Sequence, residues 1–298
     1  MRFVKLNSLF HGLDRLSRAV LISNMSSCPL RITKMTKVEW QSKPVKGLLI
    51  DISGVLKTGI EAIPGSVEGL RLLYESGIPF RIVTNESQCN VSQLLRMLQR
   101  MGFHLKADDI FSPIPAVVEL LRKENLRPHL IVNPSVESEF DEFKTEEEPN
   151  CVVMADAQEH FNYDSLNKVF RLLIDMEKPQ IFTLGTGKYY EGDDGLLHLD
   201  VGPFTKAMEY ATGLKARIVG KPSSDFFLSA LDDLGIKPEE AVMIGDDVVS
   251  DVGGAQNSGM RGILVRTGKY RTKDEQHVIK PDAIFNNFND AIHAILNI

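Results

Sequence analysis

The sequence predicts an α/β fold: a doubly wound, mostly parallel sheet with a smaller α/β domain inserted into it. Three observations carry this. From Val45 onward, short apolar runs alternate with segments of helical periodicity, the order that right-handed βαβ crossovers produce. Several of the runs end in polar residues, as strands do where such sheets bind ligands. Between Thr84 and Lys221 lie 136 residues, far more than one crossover needs. The expected division is a core at 45–126 plus 202–298, an insert at 127–201 and an N-terminal extension at 1–44.

The elements follow in order. Gly47-Leu-Leu-Ile50 is a short strand ending in Asp51. Ser66 can cap a helix that runs to Ser76 and stops at Gly77. Phe80-Arg-Ile-Val83 is a strand ending in Thr84-Asn85. Val91, Leu94, Leu95, Leu98 and Met101 recur at helical spacing up to Gly102. Asp109–Phe111 reads as a strand and 116–125 as a helix. In the insert, Cys151–Met154 and Gln180–Leu184 bracket a helix at 163–177. Ala216–Val219 is a strand followed by Lys221-Pro222 and a helix capped by Ser223 or Ser224. Ala241–Ile244, Gly262–Val265 and Ala283–Phe285 supply the remaining strands.

A hydrophobic content of 43% with 25% charged residues supports a packed core rather than disorder. The net charge of -6 argues against a nucleic-acid binder, which needs a basic face. No run approaches the roughly 20 apolar residues of a membrane helix. Cys28, Cys89 and Cys151 are odd in number and form no CxxC pair. Free thiols in a reducing compartment are expected, hence a cytoplasmic and also nuclear location. Residues 1–34 hold six bases against one acid, a charge of +5, which leaves -11 for the rest. An upstream start or a disordered extension is the favoured reading, and a mitochondrial transit peptide the alternative.

Four strand ends carry the chemistry. Asp51 ends a buried strand beside Gly54, which permits a tight turn; by itself it reads equally as a turn cap. Thr84-Asn85 offers a hydroxyl and a backbone N–H to a phosphate oxygen, or simply opens a turn. Lys221, just ahead of a helix, can neutralise a transferring phosphoryl group or lie on the surface. Gly245-Asp246-Asp247, with Asp251, gathers carboxylates that repel one another unless a cation lies among them, and oxygen ligands suit Mg2+.

Taken in order, these motifs resemble the haloacid-dehalogenase superfamily, and the insert's position is similar to its subgroup with a large α/β cap. The segments are Asp51-Ile-Ser-Gly-Val-Leu56, Thr84-Asn-Glu-Ser-Gln88, Asp200-Val-Gly-Pro203, Val219-Gly-Lys-Pro222, Met243-Ile-Gly-Asp-Asp247 and Asp251-Val-Gly-Gly-Ala-Gln256. The resemblance covers roughly 45–298. It implies a Rossmann-like core in which Asp51 is the nucleophile and forms an aspartyl-phosphate. It implies Mg2+ held by the Asp51 carboxylate, the Ser53 carbonyl and Asp246, with Asp251 in support. Ile52, Ser53, Thr84 and Asn85 would contact the phosphoryl group, and Lys221 would neutralise its charge. Capped relatives often pair through their caps, which extends to an expected homodimer.

One departure sharpens the expectation. Most phosphatases of this superfamily carry a second Asp two residues after the nucleophile, to protonate the leaving oxygen. Here the residue is Ser53, whose hydroxyl has no useful pKa near neutrality. Alkoxide leaving groups suffer most. Phosphate leaving from pyrophosphate suffers less, with a second pKa of about 6, and nitrogen can be protonated before a P–N bond breaks. This chemistry and what the resemblance implies point the same way, to phosphohistidine and phospholysine, on proteins or small molecules, and pyrophosphate as the expected partners. A broader phosphomonoesterase and a weakly active phosphoprotein-binding scaffold are the rivals. Leu184-Gly-Thr-Gly-Lys-Tyr-Tyr190 is expected to fold over the crevice, or else to be a plain hairpin turn. It lacks the full Gly-x4-Gly-Lys-Ser/Thr pattern of a nucleotide loop.

Overall fold

The structure is a computed structural model that describes residues 39–192 and 195–298. The readings of residues 1–34 and of Cys28 therefore fall outside the described residues.

Strand β1 (Gly47–Ile50) leads through the two-residue strands β2 (Lys57–Thr58) and β3 (Glu61–Ala62) into α1 (Ser66–Ser76) and β4 (Phe80–Val83). Gly65 stands at the N-cap of α1, so Ser66 does not cap it; the buried Ser66 hydroxyl donates to Leu56 O at 2.8 Å. A capping box between Asn90 and Gln93 starts α2 (Val91–Arg100). Then come β5 (Ile110–Phe111) and α3 (Pro113–Lys123), which begins with a proline in its first turn. The second unit contributes β6 (Pro128–Ile131), β7 (Cys151–Met154), α4 (Tyr163–Asp175), β8 (Ile181–Thr183), the hairpin β9 (Tyr189–Glu191) and β10 (Leu197–Leu199), α5 (Val201–Thr212) and β11 (Arg217–Ile218). The chain closes with α6 (Ser224–Leu234), β12 (Ala241–Gly245), α7 (Gly254–Asn257), β13 (Arg261–Val265), β14 (Ala283–Phe285) and α8 (Phe288–Leu296).

The larger sheet runs β14-β13-β12-β1-β4-β5 and is parallel throughout. Leu48 and Ile50 pack with α1 and α8 on one face, while Leu49 packs with Phe227 and Leu231 of α6 on the other. Burial on both faces explains why the β1 sequence is apolar without alternation. The smaller sheet, β11-β8-β7-β6, is also parallel.

The insert is larger than 127–201. At its far end, β11 pairs with β8, giving the smaller sheet residues assigned to the core. At its near end, Ile114, Val117 and Leu121 of α3 pack with Phe140, Val153 and Phe182 of the insert. Periodicity shows that α3 has an apolar face, not which sheet that face meets. The extension is likewise shorter than 1–44, because Trp40 is buried at 6% exposure and meets the Phe285 ring edge-on at 6.0 Å. The Arg261 guanidinium donates to Trp40 O, Lys43 O and Pro44 O at 2.9–3.0 Å, fastening this segment to β13. Trp40→Ala is expected to cost about 3–5 kcal/mol by chemical denaturation.

Cys151 is buried and Cys89 half-buried, and burial pushes both thiols up to about 12. They are packing residues, inert at neutral pH. No described helix is long and apolar enough to cross a membrane.

Candidate active site

The larger sheet grows in opposite directions from β1, through β4 and β5 on one side and through β12 on the other. The crevice of a doubly wound sheet opens at such a switch point. Ile50 lies opposite Ile244, and the Asp51 N–H donates to Ile244 O at 3.0 Å. The two adjacent parallel strands therefore bring Asp51 and Asp246 out at the same end of the sheet.

Asp51 is 8% exposed, and its Oδ1 accepts the Ile52 N–H at 2.7 Å. The same oxygen lies 2.7 Å from Lys221 Nζ, which also reaches Asp251 Oδ1 at 2.8 Å. Burial works against the Lys221 charge, but Asp251 and Asp51 outweigh it and raise its pKa above the usual range. The other Asp251 oxygen accepts the Asp247 N–H at 3.1 Å. Asp247 caps the following helical turn through the Val249 and Ser250 N–H groups and also borders the crevice.

Asp251, Asp246 and Asp51 each place a carboxylate oxygen within 4.8 Å of the others. Among the described residues the Lys221 ammonium is the only cation ion-paired with any of these three carboxylates. Burial first, then Asp51 and Asp251, push the Asp246 carboxyl well above its ordinary pKa. A divalent cation fits this site, and an all-oxygen set with room for water suits Mg2+. The backbone is shaped around the same group. Gly54 has φ +83°, and a Cβ there would lie 1.9 Å from Asp246 Oδ2; one on Gly268 would lie 2.1 Å away. Gly54→Ala is expected to displace the carboxylate and weaken Mg2+ binding at least about tenfold in a calorimetric titration, with about 1–3 kcal/mol of backbone strain.

The other expected site residues divide. Thr84 is buried at the end of β4, and its Oγ1 accepts the Glu86 N–H at 3.0 Å, which leaves the hydroxyl proton to donate. Asn85 borders the cavity, but its side chain is engaged elsewhere: Nδ2 donates to Lys221 O and Oδ1 accepts the Lys221 N–H, both at 2.8 Å. It ties the end of β4 to the lysine segment. Ser53 is exposed and borders the cavity. The Ile52 side chain is in the hydrophobic core, so only its backbone faces the Asp51 carboxylate.

These groups open into a cavity of about 490 Å³ roofed by the insert. Gly187, Tyr189 and Tyr190 border it, as do Asp156 and Asp200. The segment after Leu184 thus does cover the crevice. Asp156 Oδ2 accepts the Gln88 side-chain N–H at 2.6 Å, joining core and insert across the cavity. Burial, with Asp200 adding to it, raises the Asp156 carboxyl. Sequence reasoning gave these two acids no role, Asp200 entering only within the Asp200-Val-Gly-Pro203 segment, and it missed the loop after β13. There the Lys269 N–H donates to Asp246 Oδ2 at 2.6 Å, and the Thr267 hydroxyl donates to Gly54 O. A polar Thr-Gly-Lys soon after strand Arg261–Val265 is the same signal that singled out the other strand ends.

Known proteins resemble this arrangement. Residues 48–146 match the haloacid dehalogenase-like hydrolase family model, and residues 218–291 match a HAD-hydrolase-like model. A phospholysine phosphohistidine inorganic pyrophosphate phosphatase from Bos taurus is 49% identical over 257 residues, which is 85% of this chain and 94% of that protein. Haloacid dehalogenase-like hydrolase domain-containing protein 2 from Homo sapiens is 43% identical over 255 residues, 85% of this chain and 97% of its own. Among solved structures, a 4-nitrophenylphosphatase from Thermotoga maritima aligns with a TM-score of 0.77 at 26% identity, covering 84% of this chain and 97% of that one.

Proposed function

The chain belongs to the haloacid dehalogenase-like hydrolases, and on that premise we propose that it is a Mg2+-dependent phosphatase that cleaves P–N bonds, as in phosphohistidine and phospholysine, and the P–O–P bond of pyrophosphate. The observation that carries the reading is the buried assembly of Asp51, Asp246 and Asp251 around Lys221 at a sheet switch point.

The residues divide the work as follows. Asp51 attacks phosphorus, forming the aspartyl O–P bond while the leaving group departs with the electron pair of the bond that breaks. Lys221 lies against the attacking carboxylate, where it neutralises charge as the phosphoryl group arrives. The Thr84 hydroxyl donates to a phosphoryl oxygen. Water then attacks phosphorus, the aspartyl O–P bond breaks with its electron pair returning to the Asp51 carboxylate, and inorganic phosphate leaves carrying the water's oxygen and protons. Asp51, Asp246 and the Ser53 carbonyl would hold Mg2+, with Asp251 in support, and the bound ion would add Lewis-acid stabilisation of the phosphoryl oxygens.

Substrate choice follows from two features. Ser53 cannot act as an acid, so the leaving group must depart without strong proton assistance. Beyond the phosphoryl position, the cavity wall carries Glu86, Asp156 and Asp200. Burial raises the Glu86 carboxyl, with Asp156 and Asp200 contributing and Lys57 opposing. Carboxylates there suit a leaving group that departs as an amine or imidazole. The relatives' names point the same way.

With Mg2+ present, kcat/KM for phosphohistidine, phospholysine and pyrophosphate is expected to exceed that of a simple alkyl phosphate by about 10²-fold or more. Equal values would contradict the reading. Ser53→Asp is expected to raise alkyl phosphate turnover by about 10² while changing the P–N substrates little.

A further inference from the structure

The cavity is bordered by four lysine and arginine side chains, and three of them are already engaged. Lys221 is bridged to Asp51 and Asp251. Lys57 Nζ donates to Gly59 O at 3.0 Å. Arg271 donates to the backbone carbonyls of Gly268, Lys269 and Tyr270. The Lys269 ammonium has no hydrogen-bond or ion-pair partner among the described residues.

The starting point of that side chain is fixed. Thr267 is bonded to Gly54 O, the Lys269 N–H holds Asp246, and a Cβ on Gly268 would lie 2.3 Å from Gly54 Cα. The loop is therefore seated directly on the catalytic turn. Lys269 borders the same cavity as Asp51 of the core and Asp200 of the insert.

We propose that Lys269 is a specificity-determining residue that binds the distal, departing phosphate of pyrophosphate and of related anionic leaving groups. This rests on the phosphatase reading above and adds a second half to the cavity. The Asp156 and Asp200 side receives leaving groups that depart as cations or neutral amines. Lys269 receives those that depart as anions. As the P–O bond breaks, the departing phosphate takes the electron pair and its negative charge grows, which strengthens its attraction to an unpaired ammonium. Two walls of opposite charge give one site access to two kinds of leaving group that both tolerate the loss of an acid at Ser53.

The test uses Lys269→Met, which keeps the backbone N–H to Asp246, with Lys269→Arg as the charge-preserving control. Binding of inorganic phosphate and of methylenediphosphonate, a non-hydrolysable pyrophosphate analogue, is measured by calorimetry in Mg2+, beside turnover of pyrophosphate and phospholysine. Lys269→Met is expected to weaken methylenediphosphonate about tenfold or more, and to lower pyrophosphate kcat/KM similarly. Phosphate affinity and phospholysine kcat/KM should change less than about threefold, and Lys269→Arg should keep most of the diphosphonate affinity. Equal losses for phosphate and methylenediphosphonate, or no loss for either, would overturn the proposal. Diphosphonate binding that depends on Lys269 in a protein that hydrolyses no substrate would support the subsite and remove the phosphatase reading instead.

Discussion

Asp51→Asn is expected to lower kcat on every substrate by on the order of 10⁴-fold or more, because it removes the attacking oxygen rather than a supporting contact. The change is nearly isosteric, and the position is held by backbone pairing of β1 with β12, so the fold should survive. It removes one of three mutually repelling carboxylates but also one of the two partners of the buried Lys221 ammonium, so its two effects on stability oppose each other. Steady-state kinetics beside thermal unfolding checks this. A kcat within tenfold of the parent would remove Asp51 from the chemistry.

Lys221→Met is the second large effect. The ammonium is 3% exposed and meets Asp51 and Asp251 at 2.7 and 2.8 Å. Its removal takes away charge neutralisation during transfer, expected to cost about 10²–10³-fold in kcat. It also leaves two buried carboxylates facing each other, so the variant should unfold at lower temperature without Mg2+ and recover part of that loss when Mg2+ is added. Lys221→Arg should not restore activity, because a planar guanidinium cannot occupy a compact point between two carboxylates at these distances. Full activity in the arginine variant would show that charge alone suffices.

Much of the fold was legible because it depends on local pattern. The apolar run before Asp51, the one before Thr84 and the one before Gly245-Asp246 became adjacent parallel strands of one sheet, and the site residues followed from their ends. Two kinds of feature were not legible. Packing partners were one: α3 has an apolar stripe that either sheet could cover, and Trp40 looked like extension because its partner, Phe285, is remote in sequence. Side-chain direction was the other. Asp246 and Asp247 adjoin in sequence, yet Asp246 is held by the Lys269 N–H while Asp247 caps a helical turn. The backbone N–H of Asn85 was read as a phosphate contact; the part its side chain plays, holding the Lys221 backbone, had no signal in the sequence. Lys269 stands four residues beyond the end of β13, whereas Asp51, Thr84 and Asp246 directly follow their strands.

The covalent role of Asp51 is the central claim, and acid quenching during turnover tests it most directly. Protein mixed with substrate and Mg2+ is quenched, reduced with borohydride and digested. An acyl phosphate at Asp51 is reduced to homoserine, which mass spectrometry locates in the peptide containing Asp51. The account predicts homoserine at position 51 in the wild-type protein and none in Asp51→Asn. Undiminished turnover with an unmodified Asp51, or homoserine at any other aspartate, would contradict it.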